Sequence, residues 1–187
     1  MLLRATDPAW IQVALAKFDD VLIDHAHCEK KAAAHALSML SSFPEVPGLA
    51  RAMARLAREE AGHLTQVLAI LEKRGLSIGR DLGDPYAQGL LKNLRNPREQ
   101  RMLDQLLVSA LIEARSRERL ELIATHIEDA ELRLFYARLA ASEAGHALLF
   151  VRLAKKVAPD EWQSRLDALA AAEARLIAEL PIRAAVH

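Results

Sequence analysis

Arg58-Glu59-Glu60-Ala61-Gly62-His63-Leu64 and Ser142-Glu143-Ala144-Gly145-His146-Ala147 carry one tetrapeptide, Glu-Ala-Gly-His, at two places in the chain. Each copy lies in an apolar stripe of helical period. Met53, Leu56, Leu64 and Val67 surround the first; Leu132, Leu139, Ala147 and Phe150 surround the second. Residues three apart share a helix face, so each carboxylate and its imidazole are expected to point together into the buried side. A lone Glu-x-x-His arises readily by chance. A second regularity raises these two above chance: Glu29 precedes Glu60 by 31 positions, and Glu113 precedes Glu143 by 30. Glu29 continues a stripe through Leu22 and Ala33, and Glu113 one through Leu106, Ala110 and Leu120. The chain reads as a duplicated helical hairpin, each half supplying Glu and then Glu-x-x-His.

The flanking signals support that reading. Asp7-Pro8 is an N-cap followed by Pro at the first helical position, opening a helix that closes at Ser41-Ser42-Phe43-Pro44. Pro47 opens a second helix, which Gly75 stops. Residues 75–96 are rich in Gly and hold a short helix after Asp84-Pro85, so they form a long crossover. Asn96-Pro97 caps a third helix reaching about Ala124. A fourth runs from near Asp129 to Ala158-Pro159, and a fifth from there to Leu180, before Pro181. Two short links and one long one predict two antiparallel hairpins joined by a crossover. That is an all-α, ferritin-like four-helix bundle with the long crossover between helices 2 and 3 and an extra C-terminal helix. Residues 1–187 are expected to form a single domain.

Glu29, Glu60, Glu113 and Glu143 would place four carboxylates in an apolar core, which is prohibitively costly unless they are neutralised. Two iron ions offset that charge, and carboxylate with imidazole from His63 and His146 suits iron. One Glu from each of two helices and Glu-x-x-His from each of the other two is the di-iron carboxylate pattern. Gly62 and Gly145 cost about 1 kcal/mol each against Ala inside a helix. Their repetition predicts a close helix approach or a local distortion beside the metal.

Composition excludes several classes. Aromatic residues are only 4% and Ala, Leu, Glu and Arg dominate, so helix is favoured and sheet is not expected. Twenty-five basic and 25 acidic side chains cancel, which removes any global pull towards nucleic acid, DNA included, or an anionic membrane. The single cysteine, Cys28, excludes an intramolecular disulfide framework, a Cys-rich zinc site and an appended iron domain held by four thiolates. With no signal-length apolar run near Met1 and no membrane-length one elsewhere, the expectation is a soluble cytoplasmic protein.

Leu22-Ile23-Asp24-His25-Ala26-His27-Cys28-Glu29-Lys30-Lys31-Ala32-Ala33, followed by Arg58-Glu59-Glu60-Ala61-Gly62-His63, resembles the tRNA 2-methylthio-N6-isopentenyladenosine hydroxylases. So does Ile112-Glu113-Ala114-Arg115-Ser116-Arg117 with Ser142-Glu143-Ala144-Gly145-His146. The resemblance spans residues 7 to 180. It implies a di-iron monooxygenase that uses O2 and an external electron donor to hydroxylate the isopentenyl group of a modified adenosine beside the tRNA anticodon. On that resemblance Glu29 and Glu113 are terminal ligands, Glu60 and Glu143 bridge, and His63 and His146 bind one iron each. An acidic residue before the bridging Glu often orients the histidine in such enzymes. Glu59 fits that pattern and Ser142 departs from it. Tyr136 and His25 read as core residues, and Cys28 as facing a helix–helix contact.

A tRNA anticodon loop needs phosphate contacts. Lys30, Lys31, Arg115 and Arg117 adjoin the ligands Glu29 and Glu113 and are the leading candidates, with Arg95, Arg98, Arg101, Arg119, Lys155 and Lys156 as further basic positions. The crossover, residues 75–96, is the suspected base pocket. The competing reading is a ferritin- or rubrerythrin-type protein that oxidises iron or reduces peroxide.

Overall fold

The computed structural model describes residues 1–187 as seven helices and no strand. They are α1 (Ala9–Ala16), α2 (Phe18–Ser42), α3 (Leu49–Lys73), α4 (Pro85–Leu91), α5 (Arg98–His126), α6 (Ala130–Val157) and α7 (Trp162–Glu179). They fall into two compact units, one of residues 16–82 and 184–186, the other of residues 1–15, 83–183 and 187.

The first of these is the α2–α3 hairpin. Gly48, at φ +81°, makes the turn into α3 in a conformation that L side chains rarely adopt. Val21, Leu22, Ala26 and Met39 on α2, and Met53, Leu56, Val67 and Leu71 on α3, are buried. Gly75 ends α3 as expected: at φ +69° it lets Leu76 N–H bond to Leu71 O (2.9 Å) and its own N–H bond to Glu72 O (3.0 Å), a Schellman closure. Arg74 then reaches Asp19 at the start of α2 (2.7 Å), as antiparallel helices require.

The second unit contains the α5–α6 hairpin, with α4 and α7 packed on it. Asp129 caps α6 by accepting from Glu131 and Leu132 N–H, and Asp84 caps α4 by accepting from Ala87 N–H. Asp104, fully buried on α5, accepts from Arg95 and from Arg165 of α7. Arg115, also fully buried, donates to Glu173 of α7 (2.7 Å), which takes a further hydrogen bond from Tyr86 of α4 (3.0 Å). These charge-assisted bonds place α4 and α7 along α5.

The helix expected from Asp7-Pro8 to Ser42 is two helices. Lys17 leaves helical geometry at φ −127°, ψ 48°, although neither Gly nor Pro is present there. The cause is tertiary. Residues 1–15 belong to the second unit, where Trp10 is buried with the Arg119 guanidinium over its ring (4.9 Å), and this burial outweighs helical continuity. The fifth helix starts at Trp162 rather than Pro159, because residues 158–161 form a turn in which Trp162 N–H bonds to Ala158 O. The third runs two residues further than expected, to His126.

Candidate metal centre

On the α2–α3 hairpin, ligand atoms of Glu29, Glu60 and His63 all lie within 4.8 Å of one another. His63 Nδ1 donates to Glu60 Oε2 (3.1 Å) and lies 3.6 Å from Glu29 Oε2. Glu29 and Glu60 are buried and His63 is nearly so. Burial by itself would depress the His63 imidazolium, but hydrogen bonds and charge from Glu29 and Glu60 outweigh it and push its pKa up to about 10. Burial likewise raises Glu29, but hydrogen bonds from His25 and His63 hold it far below the usual carboxylate range.

The α5–α6 hairpin repeats the arrangement. Ligand atoms of Glu113, Glu143 and His146 lie within 4.8 Å of one another, and all three residues are buried. His146 Nδ1 is 3.7 Å from Glu143 Oε2 and 4.0 Å from Glu113 Oε2. In both triads Nδ1 is the imidazole nitrogen that faces the carboxylates, because i,i+3 spacing brings the near side of the ring to the Glu one turn earlier. The donor set fits a metal. Two buried carboxylates around one imidazole nitrogen demand positive charge between them, which the His63 proton supplies here and a divalent cation bound through neutral Nδ1 would supply in its place.

His25 Nε2 lies 2.7 Å from Glu29 Oε1, so a residue read from sequence as core positions the Glu29 carboxylate. The available signal was its i,i+4 spacing to Glu29. Ser142 Oγ lies 3.4 Å from His146 Nε2, so the residue that departs from the acidic pattern reaches the outer nitrogen of the imidazole. Glu59 accepts from Arg55 Nε (2.8 Å) at a half-exposed position. Cys28 Sγ lies 3.6 Å from Asp24, one turn back on its own helix, and Tyr136 is buried edge-on to Phe135. A Cβ built on Gly62 or Gly145 meets nothing within 4 Å, so neither glycine serves a close helix approach, and both lie in continuous α-helix.

The basic residues divide sharply. Arg115, 0% exposed, is committed to Glu118, Glu173, Thr6 Oγ1 and the Arg4 carbonyl, which corrects its assignment as a phosphate contact. A guanidinium with these partners on a buried helix face has no donor to offer RNA. Arg119 is buried against Trp10 and Thr6, and Arg95 is held by Asp104 and Glu161. Arg98, Arg101, Arg117, Lys30, Lys155 and Lys156 are exposed, and Lys31 is half-buried. Of these, Arg117 pairs with Glu121 and Lys155 lies over the Trp162 ring.

Residues 1–187 match the family described as tRNA-(MS2IO6A)-hydroxylase (MiaE). The chain is similar to the tRNA 2-(methylsulfanyl)-N(6)-isopentenyladenosine(37) hydroxylase of Pseudomonas putida, at 39% identity over 92% of this chain and 84% of that protein. It is also similar to the protein of that name from Salmonella typhimurium, at 33% identity over 67% of this chain and 46% of that protein. Among solved structures it is similar to a Synechococcus protein described as having aldehyde deformylating oxygenase activity. The TM-score is 0.94 at 42% identity, covering 100% of this chain and 94% of that one, and the shared fold is ferritin-like.

Proposed function

The chain belongs to the tRNA-(MS2IO6A)-hydroxylase (MiaE) family, and on that premise we propose that it hydroxylates the isopentenyl group of 2-methylthio-N6-isopentenyladenosine next to the tRNA anticodon. The observation that carries this is the pair of Glu-Glu-His triads, one on each hairpin, buried where uncompensated carboxylates would be untenable.

In this reading Glu29, Glu60 and His63 on the α2–α3 hairpin and Glu113, Glu143 and His146 on the α5–α6 hairpin hold the iron, and residues 1–187 act as one functional domain. When bound, two ferrous ions supply the activation of dioxygen, of which one atom enters an allylic C–H bond and the other leaves as water, with two electrons from an external donor and two protons. The protein's own part is to hold, orient and exclude. Glu29 is fixed by His25, and His146 has Ser142 against its outer nitrogen. Apolar neighbours on the same helix faces, among them Leu22, Leu56, Leu106 and Leu139, are buried and keep bulk water from the reacting carbon. Lys30, Lys31 and Arg117 are the phosphate contacts that remain once Arg115 is removed. The anticodon-loop base is already unpaired, so presenting it costs less than extruding a base from a duplex. No helix is long and apolar enough to cross a membrane, and a tRNA substrate implies a cytoplasmic site of action.

The test is incubation of iron-loaded, reduced protein with tRNA from cells lacking the hydroxylated base, followed by nucleoside mass spectrometry. A gain of one oxygen on the isopentenyl nucleoside is expected. An aldehyde is run in parallel, because the similar Synechococcus protein is described as having aldehyde deformylating oxygenase activity. Turnover of the aldehyde with no change in the tRNA would overturn the proposal.

A further inference from the structure

We infer that Asp81 is a built-in occupant of a phosphate site formed by Lys30 and Lys31, and that the RNA backbone must displace it to bind. The inference rests on the tRNA reading above and adds a regulatory contact to it. All the residues involved lie within residues 16–82.

Asp81 sits in the irregular start of the crossover and turns both carboxylate oxygens onto α2. Its Oδ2 is 3.3 Å from Lys30 Nζ, and its Oδ1 is 3.7 Å from Lys31 Nζ. Two ammonium groups bridged by the two oxygens of one anion is the arrangement that the non-bridging oxygens of a phosphodiester would reproduce. The match is incomplete in a telling way. Lys31 Nζ is shielded from solvent yet has no hydrogen-bond partner, because 3.7 Å is too long for one. A buried, unsatisfied ammonium is costly, and an oxygen of a larger anion closer to it would remove that cost. Two lysines against one aspartate also leave an excess positive charge that the resident anion does not cancel.

The rest of the cluster holds this geometry in place. His27 Nε2–H donates to the Ile78 carbonyl (3.1 Å), which leaves Nδ1 to accept from Lys30 Nζ (2.9 Å). The imidazole thus pins the crossover to α2 and aims the ammonium at the same time. Gly79 (φ +60°), two residues before Asp81, stands in a backbone conformation that only glycine adopts freely and gives the segment a pivot on that side. Leu82, the residue after Asp81 in the chain, is 88% exposed and presents an apolar side chain to solvent. Phosphate next to an apolar face is the chemistry of a nucleotide in a single-stranded loop. Because Lys30 directly follows Glu29, a phosphate held here would lie close along α2 to a proposed iron ligand.

The experiment measures binding of a labelled anticodon stem-loop RNA to the full-length protein by fluorescence anisotropy, over a range of salt concentrations. It compares wild type, Asp81→Asn, Lys30→Ala/Lys31→Ala and the triple variant. Asp81→Asn is expected to bind roughly threefold to fivefold tighter, since the partly exposed Asp81 ion pairs no longer have to be broken. The gain should vanish in the Lys30→Ala/Lys31→Ala background, which makes the coupling specific to this cluster. Hydrogen exchange on the wild type serves as a second measurement that needs no variant to fold: RNA should speed exchange across residues 78–82. An unchanged or weaker Asp81→Asn complex, a gain that survives loss of both lysines, or slowed exchange in 78–82 would each overturn the latch. Nucleoside analysis of tRNA treated with wild-type protein separates the two readings. Hydroxylation without the Asp81 effect removes the latch alone, whereas absence of both RNA binding and hydroxylation removes the tRNA reading and the latch with it.

Discussion

His25 and Glu29 stand one helical turn apart on α2, and the imidazole Nε2 of the first holds Oε1 of the second at 2.7 Å inside the protein. The equivalent position one turn before Glu113 is Ser109, also buried. The duplicated hairpins are therefore alike in their proposed ligands and unlike in what supports them.

This asymmetry predicts unequal metal affinity. Replacing His25 by Ala should weaken iron binding by about tenfold or more, the usual cost of losing a partner that orients a ligand. The loss should fall on one of the two ions. A chelator-competition titration, read by metal analysis, should show one equivalent released early and the other near its wild-type position. Parallel loss of both, or of neither, would contradict the assignment.

Asp104 gives a pH dependence of known sign. Burial pushes its carboxyl up, but hydrogen bonds and charge from Arg165 and Arg95 outweigh that and hold it below the usual carboxylate range. Its pKa is thus lower folded than unfolded. The ionised group stabilises the protein above its ordinary pKa, and that contribution is lost as pH falls through the depressed value. Urea midpoints should be level near neutrality and fall in acid. Asp104→Asn should lower stability by roughly 3 kcal/mol, as expected for removing one partner of a buried ion pair, and should flatten the acid limb. A variant as acid-sensitive as wild type would show that other carboxylates govern the limb.

Arg115 should behave as a structural residue. Arg115→Met leaves the buried Glu173 carboxylate without its cation, and a loss of about 3 to 5 kcal/mol is expected in thermal or urea melts. Arg117→Ala, which breaks only an exposed pair with Glu121, should change stability by less than about 1 kcal/mol. If Arg115→Met melts like wild type but loses RNA binding, the phosphate assignment returns.

The glycines should respond in opposite directions. Gly62→Ala and Gly145→Ala add a methyl group into open space on ordinary helix, and each should stabilise by up to about 1 kcal/mol. Gly89→Ala brings its Cβ to 2.7 Å from Leu176 of α7. It should destabilise by roughly 1 to 3 kcal/mol, the range for overpacking. Calorimetry on the three variants is sufficient, and a destabilised Gly62→Ala would revive the close-approach explanation.

Much of the fold was legible locally. Caps at Asp84 and Asp129, the stop at Gly75 and the apolar stripes act within a few residues, so α3 to α6 fall where the spacing places them. The proposed ligands were legible for a related reason: i,i+3 geometry is a property of one helix, and its duplication is visible in a string of letters. The break at Lys17 was not, because nothing local forces it and its cause is the burial of Trp10 against Arg119 more than a hundred residues away.

Sequence by itself determined most of the helical spans, which faces are apolar, and that two Glu-x-x-His pairs lie on those faces, because periodicity and capping are short-range. Only the tertiary structure decided the fate of each charge. Arg115 and Arg117 are two positions apart and look alike as text, yet one is buried against Glu173 and the other is exposed. Lys30 and Lys31 read as a bare basic pair until the crossover brings Asp81 onto them. Whether a charge is available to a partner depends on what the chain delivers from a distance. Electrostatic energy depends on separation in space and on burial, and neither is written in the spacing of residues.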